Sequence, residues 1–173
     1  HMLQRLTIIG VGLLGGSIGL AVKSRISGCR ITGCAHRDKS LIAAQNLGAI
    51  DDWTLDCAAA ARDADLVVLC MPVSQIPAWT ERIATDLKPG AIVTDVGSTK
   101  AAIVDAGERL VRPPAHFVGS HPMAGSEKTG VAVARADLFE GATCIVTRTD
   151  RTDDLAAATV ERFWQTLGCR TVR

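Results

Sequence analysis

Three short segments, each directly after an apolar run, carry the residues best suited to chemistry. The first is Gly-Val-Gly-Leu-Leu-Gly at 10–15, the second is Asp-Val-Gly-Ser-Thr-Lys at 95–100, and the third is Gly-Ser-His-Pro-Met-Ala-Gly-Ser-Glu-Lys at 119–128. Glycines at this spacing let a backbone wrap around an anion, whereas imidazole, hydroxyl and carboxylate groups can accept or donate protons. The segments therefore predict a site that binds a phosphate-bearing molecule and a reacting group together.

The first segment matches G-x-G-x-x-G between a strand-like run and a helix-like run. Gly10 would allow the tight turn, Gly12 would let the backbone approach a pyrophosphate, and Gly15 would permit close packing of helix on strand. Leu13 and Leu14 would open the helix, whose free N–H groups and partial positive charge favour an anion. We therefore predict that these five residues bind a dinucleotide. The alternative is a glycine-rich turn that holds no ligand.

The end of the second predicted strand indicates which dinucleotide would bind. An NAD site usually has an acid there for the ribose hydroxyls, but this sequence has Ala35, followed by His36 and Arg37. A guanidinium matches the oxygens of a 2′-phosphate as a bidentate fork. We expect these three residues to contact the cofactor, and NADP to be preferred over NAD. In the alternative, Asp38 binds the ribose, and His36 and Arg37 only face solvent.

Later strand ends supply the remaining candidates. Cys70 and Pro72 would form a wall of the cofactor site. His121, predicted in a loop over 121–130, is the candidate base or acceptor for a substrate hydroxyl, because imidazole titrates near neutral pH. Its alternative role is a loop histidine bonded to the backbone. Ser98 would orient the substrate, cofactor or imidazole, or would cap a helix beginning near Thr99.

Other polar residues in or near these segments are further candidates for a role in the site. Ser126 and Glu127 are candidates for the substrate pocket, although Glu127 and Lys128 could be solvated charges. His116 is predicted to be structural, in a buried strand. Because no three convergent side chains have metal-ligand spacing, we predict no metal site.

Strand-like and helix-like runs alternate along most of the chain. Parallel strands joined by right-handed helical crossovers give an α/β fold, a doubly wound, mostly parallel sheet of the Rossmann type with helices on both faces. The three segments would then share the carboxyl edge of the sheet. Predicted strands cover 6–9, 30–35, 65–70, 91–95, 142–147 and 170–172, and predicted helices cover 13–23, 39–47, 55–62, 74–87, 99–111 and 155–167.

Composition and charge narrow the classes of partner. The length of 173 residues suits one domain, over 3–173, and His1-Met2 resembles a cloning remnant that would place the native start at Met2. With 19 basic and 18 acidic residues and a net charge of +1, we expect a small-molecule substrate and no nucleic acid.

The uncharged run 6–22 is rich in glycine, so we expect no membrane span. The six cysteines include no C-x-x-C pair. We therefore expect them to be reduced and to pack as small apolar side chains in a cytoplasmic protein.

Taken together, the three segments resemble the prephenate and arogenate dehydrogenases of tyrosine biosynthesis. The likeness is carried by Gly10 to Ser17, Asp95 to Lys100 and Gly119 to Gly125, and it runs over essentially the whole chain. It implies an oxidative decarboxylation, in which hydride leaves the ring carbon bearing the 4-hydroxyl for C4 of the nicotinamide and the ring becomes aromatic as carbon dioxide leaves.

The resemblance also implies residue roles and a larger protein. His121 would contact the 4-hydroxyl, Ser98 would be the serine of the D-x-G-S-like motif, and Glu127 would border the substrate pocket. Some members similar to this chain use NADP and lack an acid at the Ala35 position. Family members continue into a helical domain that forms the homodimer and supplies an arginine for the ring carboxylate. The chain alone is therefore expected to bind NADP with little or no turnover.

Two other interpretations are compatible with the glycine-rich loop. The chain could be another reductase of the same architecture, of the pyrroline-carboxylate or β-hydroxyacid type, which would not need His121. It could also be a module that binds NADP without catalysis. The sequence does not discriminate prephenate from arogenate as substrate.

Overall fold

The computed structural model describes residues 3–173, so the expected start at Met2 lies outside the described residues. Within this range eight strands form one sheet in the order β3-β2-β1-β4-β5-β6-β7-β8. The strands are β1 (Arg5–Ile9), β2 (Arg30–Cys34), β3 (Asp52–Thr54), β4 (Leu66–Leu69), β5 (Ile92–Asp95), β6 (His116–Pro122), β7 (Thr143–Thr147) and β8 (Arg170–Val172). The first six are parallel, β7 is antiparallel to β6, and β8 is parallel to β7. The predicted doubly wound, mostly parallel α/β fold is confirmed.

Helices cover both faces of the sheet. They are α1 (Leu13–Arg25), α2 (Lys39–Leu47), α3 (Cys57–Arg62), α4 (Ile76–Ala84), α5 (Ala101–Leu110) and α6 (Asp154–Thr166), with short 3-10 turns at Val73–Gln75 and Val131–Val133. Side chains of β1 divide between two cores: Ile8 packs with Ile18 of α1, whereas Ile9 packs with Ile83 of α4. Because strands buried on both faces have no polar side, their sequences are continuous apolar runs.

A segment after β6 fixes α1 against the rest of the domain. A Cβ on Gly16 of α1 would lie 2.8 Å from the side chain of Val131 and 2.9 Å from that of Ala134. The backbone N–H of Arg135 also donates a hydrogen bond to Ser17 Oγ at 3.1 Å. The absence of a side chain at position 16 therefore lets this segment pack directly on the helix that follows the glycine-rich loop.

Several predicted boundaries were wrong for identifiable reasons. The strand β3 was missed because three residues are too few to show an alternating pattern. The helix predicted over 55–62 begins at Cys57, because Asp56 caps it by accepting a hydrogen bond from the Ala59 N–H at 3.2 Å. The helix predicted over 74–87 is a 3-10 turn followed by α4, which ends at Ala84.

The six cysteines are unpaired within the described chain, and all but Cys70 are buried. This agrees with their prediction as apolar fillers. No helix among residues 3–173 is both long enough and apolar enough to cross a bilayer.

Candidate functional site

The carboxyl ends of neighbouring strands bring the predicted segments together. Gly10, just after β1, donates its N–H to the carbonyl of Cys34 at the end of β2, at 2.8 Å. The N–H of Cys70, just after β4, donates to the carbonyl of Ile9 at 2.7 Å. The glycine-rich loop, the turn beginning at Ala35 and the Cys70 turn are therefore adjacent at one edge of the sheet.

Each glycine of the loop has a distinct structural requirement. Gly10 has φ +87°, and a Cβ there would lie 2.5 Å from the Cys70 carbonyl oxygen. A Cβ on Gly15 would collide with the Gly10 carbonyl oxygen and lie 3.1 Å from the Ile8 side chain. A Cβ on Gly12 would meet no atom within 4 Å. Two glycines thus permit the turn and the packing, and Gly12 leaves open space above the loop.

The first turn of α1 offers free hydrogen-bond donors to that open space. Gly12 occupies the N-cap position, so no side chain caps the helix, and the first turn contains no acidic residue. The N–H groups that open a helix have no partners within it, and they carry its partial positive charge. Leu13 and Leu14, both half-buried, begin this turn. The loop and helix therefore fit a pyrophosphate group, as the sequence predicts.

The turn after β2 presents a histidine and an arginine to solvent. Ala35 is half-buried, whereas His36 and Arg37 are exposed, as is Asp38. Asp38 precedes α2, but its side chain makes no capping hydrogen bond to the helix. The His36 ring packs against Trp79, with 4.6 Å between the ring centroids. The arrangement leaves Arg37, predicted to bind the 2′-phosphate, and Asp38, the alternative ribose contact, both exposed.

A buried ion pair lies at the carboxyl end of β5. The Asp95 carboxylate is fully buried, and it binds the Lys100 ammonium and accepts hydrogen bonds from the N–H groups of Gly97 at 2.9 Å and Ser120 at 3.1 Å. Burial raises the pKa of Asp95, although Lys100 and the two N–H donors act in the opposite direction. Burial lowers the pKa of Lys100, which Asp95 opposes. Each charge depends on the other for its place in the interior.

A hydrogen-bond network connects this ion pair, at the end of β5, to two further elements. Ser120 Oγ donates to the Asp95 carbonyl at 2.8 Å, lies 2.6 Å from Thr94 Oγ1, and accepts a hydrogen bond from Trp164 Nε1 at 3.0 Å. These contacts connect β5, β6 and α6. Ser120 directly precedes His121, so the network fixes the backbone from which the imidazole projects.

His121 itself lies in β6, and its prediction as a loop residue was wrong. Its backbone pairs with Ile145 of β7, because the chain from Gly119 to Pro122 continues as an antiparallel strand. Burial lowers the pKa of His121, and the nearby Lys100 lowers it further, against an opposing effect of Asp95. The imidazole is therefore neutral at pH 7 and can accept a proton or hydrogen bond.

The other predicted site residues, Ser98, Ser126 and Glu127, are exposed. Ser98 is exposed after β5, and the alternative in which it caps a helix is wrong, because α5 begins at Ala101 with Lys100 at the N-cap position. Ser126 and Glu127 lie in an exposed segment beyond β6, where Ser126 Oγ accepts a hydrogen bond from the backbone of Lys128. These two side chains make no hydrogen bond with His121 in the described chain.

The remaining wall residues lie between the glycine-rich loop and the ion pair. Cys70 is half-buried, and Pro72 is exposed at the start of the turn before α4. A Cβ on Gly97 would lie 3.2 Å from the Val73 side chain, so the segments after β4 and β5 approach closely. The carboxyl edge is thus continuous from the glycine-rich loop to Lys100.

Sequence reasoning missed the residues that support the site. Asp95 and Lys100 stood within the quoted motif, but only Ser98 was selected from it. A charged residue ending an otherwise apolar strand could have identified Asp95. Ser120 lies within the third segment but was not named as a candidate, and nothing in the sequence indicated that Trp79 would contact these segments.

No group of three or more His, Cys, Asp or Glu side chains among residues 3–173 could hold a metal ion.

One surface cavity lies apart from the carboxyl edge of the sheet. A surface cavity of about 390 Å³ is lined by Arg109, Arg112, His116 and Arg151. His116 begins β6, so this cavity lies at the amino edge of the sheet, away from the glycine-rich loop.

Comparison with known proteins gives the family. A family model for the nucleotide-binding domain of prephenate dehydrogenase matches residues 18–173. The chain belongs to the prephenate dehydrogenase family. The predicted resemblance is thereby confirmed.

Relatives and solved structures agree with the family assignment. Prephenate dehydrogenase of Bacillus subtilis (strain 168) is 40% identical over 157 residues, which is 90% of this chain and 42% of the relative. A prephenate dehydrogenase from Aquifex aeolicus, solved with hydroxyphenyl propionate and NAD+, superposes with a TM-score of 0.93 at 32% identity, covering 99% of this chain and 60% of that one. Synechocystis arogenate dehydrogenase has a TM-score of 0.89 at 28% identity, with 97% and 58% covered. The chain thus spans about half the length of these relatives.

Proposed function

We propose that this chain is the cofactor-binding part of an NADP-preferring dehydrogenase of tyrosine biosynthesis. The reaction is the oxidative decarboxylation of prephenate to 4-hydroxyphenylpyruvate, or of arogenate to tyrosine. The observation that carries the proposal is the position of His121, which is half-buried near the end of β6 at the same edge of the sheet as the glycine-rich loop. Reduction of NADP by the complete protein with either substrate tests it, and reduction with neither overturns it.

The glycine-rich loop and the first turn of α1 would hold the dinucleotide. N–H groups of the first turn, at Leu13 and Leu14, would bind the pyrophosphate above Gly12. Cys70 and Pro72 would line the path toward β5 and β6. The nicotinamide ring, when bound, accepts the hydride in this chemistry.

The groups at the ends of β5 and β6 would act on the substrate. His121 would accept the hydrogen bond or proton of the 4-hydroxyl, a role that needs the neutral imidazole. The Lys100 cation favours that neutral form. Ser98 would orient the hydroxyl, and Ser126 and Glu127 would border the substrate from their exposed segment.

A matched pair of glycine variants separates binding from packing. We expect Gly12→Ala to weaken NADP binding at least tenfold with little change in stability, because its Cβ enters only the open space above the loop. Gly15→Ala should lower the free energy of unfolding by about 1–3 kcal/mol, because its Cβ collides with the Gly10 carbonyl. Calorimetric titration and urea unfolding measure the two effects. Unchanged NADP affinity in the stable Gly12→Ala variant would contradict the loop assignment.

The cofactor preference is tested at Arg37. We expect Arg37→Ala to weaken NADP binding at least tenfold, about 1.4 kcal/mol, and to leave NAD binding unchanged, because only NADP carries the 2′-phosphate. Titration of both cofactors against both proteins measures this. Asp38→Asn is the companion variant: selective loss of NAD affinity there, with tighter binding of NAD than NADP by the parent chain, would favour the alternative in which Asp38 binds the ribose.

The proposal extends to the protein's assembly and location. The relatives' length beyond this domain leaves room for the helical, dimer-forming part that the resemblance implies, so we propose a homodimer formed there. Unpaired cysteines favour a reducing, cytoplasmic environment. A non-catalytic NADP-binding module remains the second candidate, because the glycine-rich loop alone would support it.

A further inference from the structure

Three side chains form a stack beside the turn after β2, which we call the Trp79 stack. The His36 ring lies against the Trp79 indole, with the planes tilted by 56°. Arg82 places its guanidinium carbon 4.5 Å from the Trp79 ring centroid. Trp79 is only 5% exposed, so the indole is a fixed platform, whereas His36 and Arg82 are both exposed.

The guanidinium of Arg82 is directed toward the cofactor edge of the sheet. The helix α4 starts at the carboxyl end of β4, and helical side chains lean toward the helix N-terminus. Arg82 follows Trp79 by three residues, so its head lies over the preceding turn. The same cation lies close enough to Cys34, the last residue of β2, to oppose the burial that raises the pKa of that thiol to about 12.

The charge of Arg82 is otherwise uncompensated. Among residues 3–173, no carboxylate lies within ion-pair distance of it, although other arginines nearby, such as Arg62, have acidic partners. Arg82 contacts the indole, and its guanidinium N–H groups make no hydrogen bond within the described residues, so they are free to bind an anion. An exposed cation held on a rigid platform loses little conformational entropy when it binds.

We infer that Arg82 is a second cation of the subsite for the 2′-phosphate of the adenosine ribose, that it acts beside Arg37, and that Trp79 positions it. This rests on the proposed preference for NADP. A phosphate monoester carries about −1.5 to −2 charge at pH 7, which Arg37 alone does not balance. The Trp79 stack joins α4 to the turn after β2, so the two guanidinium groups can face the same phosphate from different elements.

Fragments of the cofactor isolate the 2′-phosphate. We would titrate adenosine 2′,5′-bisphosphate, 5′-AMP, NADP and NAD into the parent chain and into Arg82→Gln, Arg82→Lys and Arg37→Ala, with Arg109→Gln as an exposed control on α5. We expect Arg82→Gln to weaken the bisphosphate and NADP about tenfold and to leave 5′-AMP and NAD unchanged. Arg82→Lys should restore part of the loss, because it keeps the charge but not the planar fork. Arg109→Gln should change none of the four.

The outcomes distinguish this inference from the proposal beneath it. If Arg37→Ala weakens only the two 2′-phosphorylated ligands and Arg82→Gln weakens neither, the role of Arg82 is overturned and the preference for NADP stands. If Arg82→Gln weakens the binding of all four ligands equally, Arg82 only maintains the shape of the site, and the inference is also overturned. If the parent chain binds NAD more tightly than NADP, and neither arginine variant discriminates, the preference for NADP itself fails.

Discussion

We expect the replacement of His121 by asparagine to lower kcat of the complete protein by about 10²–10⁴-fold and to leave the affinity for NADP unchanged. Asparagine fits the half-buried position in β6 but cannot accept a proton at neutral pH. The imidazole lies at the far end of the carboxyl edge from the glycine-rich loop, so its loss should leave the dinucleotide contacts intact. Steady-state kinetics with prephenate and with arogenate, and calorimetric titration of NADP, measure the two effects separately.

His116 provides the matched control for this prediction. It lies at the opposite end of the same strand, beside the cavity at the amino edge. His116→Asn should leave kcat within a fewfold of the parent. Because burial and Lys100 lower the pKa of His121, the parent's kcat/KM should also stay high below pH 6.5, the ordinary histidine value, and fall only at lower pH. Equal kcat losses in the two histidine variants would contradict a specific role for His121.

Replacing Asp95 with alanine should lower the free energy of unfolding by about 3–5 kcal/mol, because it leaves the buried Lys100 ammonium without its counter-charge. The N–H groups of Gly97 and Ser120 lose their acceptor at the same time. Urea unfolding followed by circular dichroism measures the loss. Since Ser120 precedes His121, we also expect Asp95→Ala to lower kcat in the complete protein.

Two further variants define how much of this loss is due to the buried charge. Asp95→Asn keeps the size and one acceptor oxygen, so it should lose less stability than the alanine variant. Arg30→Ala breaks an ion pair with Asp52 whose side chains are about half exposed, and solvent screening should make its effect far smaller. If Asp95→Ala were no more destabilising than Arg30→Ala, the ion pair would not be the stabilising element that its burial indicates.

Features that depend on local pattern were predictable from the sequence. The glycine-rich loop was predictable because the local turn requires glycine at Gly10 and the packing of α1 on β1 requires it at Gly15. The helix α2 was predicted with its observed bounds, because Gly48 ends it in the left-handed conformation. The parallel sheet followed from apolar runs such as Leu66–Leu69, which only burial on both faces explains.

Features that depend on tertiary contacts were not predictable. The polar residues around His121 suggest a loop, yet pairing with β7 makes them a strand. Ser98 looked like a cap because it precedes a helix-like run, but Lys100 turns inward to Asp95 and the helix starts later. The contact of Trp79 with His36 joins residues more than 40 positions apart and has no local pattern.

The most direct test of the account is a comparison of four assays on the complete protein, pairing prephenate or arogenate with NADP or NAD. Formation of the reduced cofactor is followed by absorbance, and released carbon dioxide is measured in parallel. We predict reduction with at least one substrate, faster with NADP than with NAD, and one carbon dioxide released for each cofactor reduced. A protein that binds NADP but reduces neither cofactor with either substrate would contradict the account and favour a non-catalytic NADP-binding module.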